Sequence, residues 1–244
     1  MLRQNFRRKS LEQIYTIPVN EAFDKVIEHP ECGCPVCVLY RKLQTDELDI
    51  ILGASMMEPD IRMKTNEQGF CADHYAMMLK RKRMLGIALM LDSHLPEVEK
   101  RLDGPILIGN KPAAAVKALS ELEDSCYVCG RIENNLSRMI ATIAYLFESS
   151  EEFRKKYEKI PYICLPHYRR LIDYASKKMN KRNFAEFYGV AHGLEKKYIT
   201  ELQGDVHWFC KKFDYQNEAE PWYNSKDSVY RAIKFLDGDT SDEE

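Results

Sequence analysis

The chain has 244 residues, 45% of them hydrophobic and 30% charged, with a formal net charge of −2. That supplies a real core for one compact domain or two small ones, and it excludes a global electrostatic pull toward nucleic acid or anionic lipid. The longest purely apolar stretch, around Met84 to Leu91, is too short to span a bilayer, and the N-terminal sequence lacks the apolar core of a signal peptide. A soluble, cytoplasmic protein with no membrane partner is expected.

Taken in chain order, the pattern predicts helix almost throughout. A short amphipathic helix runs from Val19 or Asn20 to Glu28, with Asn20 as N-cap, and a longer one runs from Pro35 to about Met57. Pro59 opens a returning helix that Glu67, Gln68 and Gly69 end. The next begins near Ala72 and bends at Gly86 on its way to Leu95. Residues 96–112 contain Pro96, Gly104, Pro105, Gly109 and Pro112 around Ile106, Leu107 and Ile108, and read as a connector. Helix resumes at Ala113 to Leu122, and then come Val128 to Phe147, Ser149 to Lys159 and a helix opened by Pro166. A long amphipathic helix covers Asn183 to Phe213, with apolar positions from Phe184 to Phe213, and its face is expected to pack across both halves of the chain. The final Asp-Gly-Asp-Thr-Ser-Asp-Glu-Glu reads as a disordered acidic tail.

The feature that carries chemistry is a repeat. Cys34, Cys37, Cys71 and His74 form one copy of C-x-x-C followed by C-x-x-H-Tyr, and Cys126, Cys129, Cys164 and His167 form a second. The gap between the paired motifs is 34 positions in the first copy and 35 in the second. Val36 matches Val128, Tyr75 matches Tyr168, and Leu48, Ile51 and Leu52 fall at the offsets of Ile140, Ile143 and Ala144, the i, i+3, i+4 pattern of a buried helix face. Three thiolates and an imidazole per copy make a closed tetrahedral set suited to structural Zn²⁺. Each copy is expected to fold out and back as a helical hairpin, with its own zinc closing the base, giving two Zn²⁺ per chain.

The fold expectation is therefore all-α: duplicated helical hairpins plus a long C-terminal amphipathic helix. The divisions are 1–95, a 96–112 connector, 113–180, 181–236 and a 237–244 tail, with the units packing as one domain. Without an export signal, a disulfide framework is the weaker reading of eight cysteines. Iron–sulfur ligands are commonly more tightly spaced. Cys32 could exchange with Cys34 as a ligand, and His207 with Cys210, three residues apart on one helix face, could add a further site. Arg62 and Arg154 occupy similar places on the two returning helices and could contact an anion, although a salt bridge or helix-end contact is the simpler reading.

Together with Gly69-Phe70-Cys71, Lys212-Phe213-Asp214-Tyr215 and the segment Ser228 to Leu236, the paired motifs resemble the bacterial family catalogued as domain of unknown function 6062. The resemblance covers nearly the whole chain. It implies a soluble, mostly helical bacterial protein with two zinc knuckles, and it implies no reaction or substrate.

No Gly-rich phosphate loop, nucleophile elbow or acid–base pair is evident, and His29, His94 and His192 are isolated in sequence. Lys80 to Arg83 follow the first C-x-x-H, and Arg169, Arg170, Lys177, Lys178, Lys181 and Arg182 follow the second. Nucleic acid is thus an alternative partner. A non-catalytic protein-interaction or scaffold module with an unidentified protein partner is preferred. Redox sensing or redox catalysis is the alternative if the cysteines hold iron–sulfur or release zinc.

Overall fold

The computed structural model describes residues 14–103 and 111–239. The apolar triplet Ile106 to Ile108 and the last five residues of the acidic tail lie outside them. Among the described residues there are eleven α-helices and no strand. They are α1 (Thr16–Glu28), α2 (Pro35–Ile51), α3 (Pro59–Gln68), α4 (Ala72–Lys80), α5 (Met84–Asp103), α6 (Lys111–Glu123), α7 (Tyr127–Ser149), α8 (Glu151–Tyr157), α9 (Leu165–Lys178), α10 (Lys181–Lys211) and α11 (Ser228–Asp237). None is long and apolar enough to cross a membrane.

The described residues divide into two compact units, neither continuous in sequence. One comprises 14–41 and 136–239, the other 42–103 and 111–135. The chain passes between them within α2 and again within α7.

The first unit is built on an aromatic core. Phe23 of α1 lies 4.8 Å from Phe153 of α8, and Phe147 of α7 lies 4.9 Å from Phe187 of α10, with Tyr157 5.6 Å from Phe187. All five rings are essentially shielded from solvent, and rings at these separations contribute beyond their buried area. Polar contacts hold the helix ends. The Lys156 ammonium lies 2.7 Å from Asp24 and donates to Asn20 Oδ1 at 3.0 Å. α10 starts at Lys181 because the Asn180 side chain caps it, accepting from the Asn183 N–H at 3.0 Å. At its other end Lys212 donates to the carbonyls of Asn217, Glu218 and Glu220 at 2.6 to 2.8 Å, folding the segment after the helix around one ammonium.

The second unit packs α3 and α6 against α5 and is lined by Leu48, Ile51, Met78, Ile87, Met90 and Ile132. Ser93 and Arg62 join α5 to α3, with Arg62 Nη2 donating to Ser93 Oγ at 2.8 Å and Ser93 Oγ donating to Asn66 Oδ1 at 2.7 Å.

Several element ends depart from the sequence reading. α1 begins at Thr16, so Asn20 lies inside the helix and donates from its side chain to the Thr16 carbonyl rather than capping. α2 stops at Ile51, with a short 3₁₀ turn over Ala54–Met57. The helix after His74 breaks at residues 81–83 rather than bending at Gly86, and Lys82 takes φ = 56° there. α5 runs through Pro96 to Asp103, so the first part of the expected connector is helical. A proline removes one intrahelical hydrogen bond, and α5 retains its packing on α3 and α6 on either side of that position. α10 buries Phe187, Ala191 and Leu202 in the first unit, whereas Phe213 lies beyond its end and is 75% exposed. Asp237 ends α11, and Asp239 is held by Arg41 and Lys234 at 3.0 and 2.8 Å, so the acidic tail starts as anchored chain.

Candidate metal centres

All eight sequence-predicted ligands gather into two clusters, but the pairing within each copy does not hold. Cys34 and Cys37 meet Cys164 and His167, whereas Cys71 and His74 meet Cys126 and Cys129. Each cluster takes its cysteine pair from one copy of the repeat and its C-x-x-H from the other. Each also lies wholly within one unit, the first in 14–41 with 136–239 and the second in 42–103 with 111–135.

The helices within each copy are unequal. α2 has 17 residues and α3 only 10, so the outgoing arm is about 25 Å long and the returning arm about 15 Å. The second copy is more uneven, with 23 residues in α7 and 7 in α8.

What Cys71 does meet is fixed by backbone. The Tyr127 N–H donates to the Gly69 carbonyl at 3.0 Å, and Ser125 Oγ donates to the Gln68 carbonyl at 2.7 Å. These bonds hold the segment before Cys71 beside the Cys126–Cys129 knuckle. Gly69 makes the turn at φ = 60°, and a Cβ there would stand 2.8 Å from His94 Nε2. At the other cluster Gly33 leads into Cys34 at φ = 76°, where a Cβ would fall 2.6 Å from the Tyr162 hydroxyl oxygen. Both positions require glycine for conformation and for space.

In the first cluster His167 Nδ1 lies 3.1, 3.5 and 3.8 Å from the sulfurs of Cys164, Cys37 and Cys34, and Cys37 Sγ is 3.6 Å from Cys164 Sγ. In the second, His74 Nδ1 lies 3.0, 3.4 and 3.4 Å from Cys71, Cys126 and Cys129, and Cys71 Sγ is 3.9 Å from Cys129 Sγ. Both imidazoles face the sulfurs through Nδ1. The Gln44 side-chain amide lies 3.3 Å from His74 Nε2. With Nδ1 bound to a metal the ring proton sits on Nε2, and an amide turned oxygen-first accepts it.

Cys34, Cys37, Cys71, Cys126, Cys164 and both histidines stand at or next to helix N-termini, α2, α4, α7 and α9, where unpaired N–H groups favour thiolate. Three buried sulfurs without a cation cannot all ionise. Burial, then hydrogen bonds with Cys164 and Cys37, push the Cys34 thiol well above its usual range. Hydrogen bonds from Cys164 and Cys34 hold Cys37 well below it, making it the one favoured thiolate. A bound dication would release the remaining protons.

Two residues at the first cluster had no signal as ligands. The Asp239 N–H donates to Cys37 Sγ at 3.3 Å, and Glu195 of α10 accepts from the Ile163 N–H at 2.7 Å, one residue before Cys164. In sequence Asp239 belongs to the acidic tail, and Glu195 falls within an amphipathic pattern where an acid reads as solvated. Glu195 is only 7% exposed, and its second carboxyl oxygen has no partner among the described residues. Burial pushes its pKa up to about 8, against a countering effect of the Ile163 N–H.

The folded state therefore holds that proton where the unfolded chain has lost it. This contribution to stability is full below about pH 4.5 and declines as pH rises to about 8. Glu195→Gln is expected to flatten that part of the stability–pH curve. Its gain over wild type above pH 8 should be on the order of 5 kcal/mol by denaturant titration. An unchanged slope would contradict a buried, protonated Glu195.

The remaining candidates resolve simply. Cys32 is outside both clusters and Cys34 is the one placed in a cluster, while His207 and Cys210 are exposed and belong to neither. Arg154 donates to the carbonyls of Phe147 and Glu148 at the end of α7 and lies 3.0 Å from Glu186, which is the helix-end contact. Arg62 donates to the Leu89 carbonyl at 3.0 Å as well as to Ser93, so both arginines are engaged inside the protein. Of the basic runs, Arg81 lies 3.4 Å from Asp49 and Lys177 2.7 Å from Asp173. His94 is buried against Gly69, with Nδ1 2.7 Å from the Asn66 carbonyl oxygen.

A family model described as a family of unknown function, DUF6062, matches residues 10–243. No curated protein and no solved structure matches the chain.

Proposed function

The chain belongs to the DUF6062 family, and from its two closed ligand sets we propose that it is a zinc-binding, non-catalytic interaction or scaffold protein, each of whose units is held by one structural Zn²⁺. The observation that carries this reading is the ligand geometry. Tetrahedral Zn²⁺ with sulfur at about 2.3 Å and nitrogen at about 2.0–2.1 Å has S–S edges of about 3.8 Å and S–N edges of about 3.5 Å. The sulfur pairs at 3.6 and 3.9 Å, and the nitrogen–sulfur distances of 3.0 to 3.8 Å, fit those edges. The tetrahedral count is filled by protein, so no place is left for a metal-bound water, which zinc hydrolysis needs.

The interaction half of the reading is supported by surface composition. Val229, Tyr230, Ile233 and Leu236 are exposed along one side of α11, and Tyr215 and Tyr223 are exposed in the segment before it. Apolar side chains grouped in this way mark contact surfaces more often than solvated ones.

X-ray absorption at the zinc edge tests the metal assignment on protein purified without added metal. Three sulfurs and one nitrogen at each of two zincs is the expected result. An oxygen ligand, or iron with sulfide, would overturn it. Cross-linking in cells tests the interaction assignment. Cross-links centred on α11 that are lost in a Tyr230→Glu, Ile233→Glu variant with full zinc content would support it, and small-molecule turnover by the zinc-loaded protein would sink it.

A further inference from the structure

Burial separates the two ligand sets. Cys34, Cys37, Cys164 and His167 are all buried, and the Asp239 N–H lies on Cys37 Sγ. In the other set only His74 is buried. Cys71 and Cys126 are half-buried, and Cys129 is at the surface.

A thiolate reacts with an oxidant that can reach its sulfur, and the product becomes a disulfide when a second sulfur is close. Cys129 meets the first condition. Cys71 meets the second, since the two Sγ atoms are 3.9 Å apart and a disulfide bond of about 2.05 Å requires an approach of only about 2 Å. Cys71 is the N-cap of α4, in extended backbone with φ = −73° and ψ = 165°, its carbonyl accepting from the Tyr75 N–H at 3.0 Å while its side chain makes no capping bond and stays with the sulfur cluster.

We propose that Cys129 is a peroxide-reactive modification site, and that Cys71, His74, Cys126 and Cys129 form a metal-releasing thiol switch while the Cys34, Cys37, Cys164 and His167 set stays permanently loaded. This rests on reading both sets as zinc sites.

The Cys129 thiolate attacks one oxygen of a hydroperoxide. The O–O bond breaks, hydroxide or alkoxide leaves with the electron pair, and Cys129 becomes a sulfenic acid. The Cys71 thiolate then attacks the Cys129 sulfur, forming the S–S bond and expelling hydroxide. Two thiolates lose two electrons, the peroxide gains them, and the dication is left with His74 and Cys126 alone. Two ligands do not retain it. The new bond joins the same segments that the ion joined, the starts of α4 and α7, so the second unit remains closed while its ion departs. A thiol reductant with added Zn²⁺ reverses the change.

The test uses the full, metal-loaded chain. Hydrogen peroxide is added in the presence of a zinc-binding dye, samples are quenched with an alkylating agent, and peptides are mapped by mass spectrometry. The expected result is release of one zinc at least about tenfold faster than the other. A Cys71–Cys129 disulfide should form at the rate of that release, while Cys34, Cys37 and Cys164 remain unoxidised. Release of both ions at one rate, oxidation of the buried set first, or release without a Cys71–Cys129 link would overturn the switch while leaving the zinc reading intact. A chain that purifies with no bound metal would overturn both.

Discussion

Stripping the metal at neutral pH is expected to unfold both units rather than loosen them. A structural Cys-rich zinc site contributes on the order of 10 kcal/mol to folding, and a domain of this kind has a net stability of about 5–15 kcal/mol. Each ion would join segments far apart in sequence, residues 34–37 to 164–167 and 71–74 to 126–129, alongside the Phe23–Phe153 packing and the Tyr127–Gly69 hydrogen bond that join the same parts of the chain. The loss should be read as a fall in helical circular dichroism on adding a strong chelator, and restored by Zn²⁺.

The pH dependence of metal retention has a definite sign. The apo state of the buried cluster holds protons on Cys34 and on Cys164, whose pKa is pushed up to about 12; the Cys34 hydrogen bond lowers Cys164 most, but its bond to Cys37 and burial outweigh that effect. Metal binding must displace these protons, so affinity rises with pH and chelation becomes easier as pH falls. Full helicity in the metal-free protein would contradict a stapling role.

Phe187→Ala is expected to be the most damaging single change away from the ligands, at about 3–5 kcal/mol. Phe187 is fully buried, in edge contact with Phe147 and Tyr157 and at the point where α10 meets α7 and α8. Tyr157→Phe is the control at the neighbouring ring. The Tyr157 hydroxyl is buried with no hydrogen-bond partner among the described residues, so deleting it should cost little or even stabilise. Denaturant midpoints for the two variants give the comparison. Equal losses would mean that the aromatic cluster is not packed as described.

The eight candidate ligands were legible because residue type and spacing are properties of the chain itself. Their pairing was not. A repeat reveals which residues are equivalent, whereas partnership depends on where helices stop. Ile51, Gln68 and Tyr157 end α2, α3 and α8 at lengths that no ligand spacing encodes. The same limit applies to Pro96, where packing on both sides overrides a local helix breaker, and to Asn20, which suits a cap but sits one turn inside a helix begun at Thr16. α10 was well placed from its periodicity, because a helix this long averages out uncertainty at its ends. Gln44, Glu195 and Asp239 were invisible because each acts through a contact with a residue distant in sequence.

The crossed ligand sets are tested most directly by zinc content in two double variants, Cys37→Ser with Cys164→Ser and Cys37→Ser with Cys71→Ser. Crossed pairing places Cys37 and Cys164 on one ion, so the first variant should retain about one zinc per chain and the second none. If the first variant lost both ions and the second kept one, each copy of the repeat would be closing on itself and the crossed arrangement would be wrong.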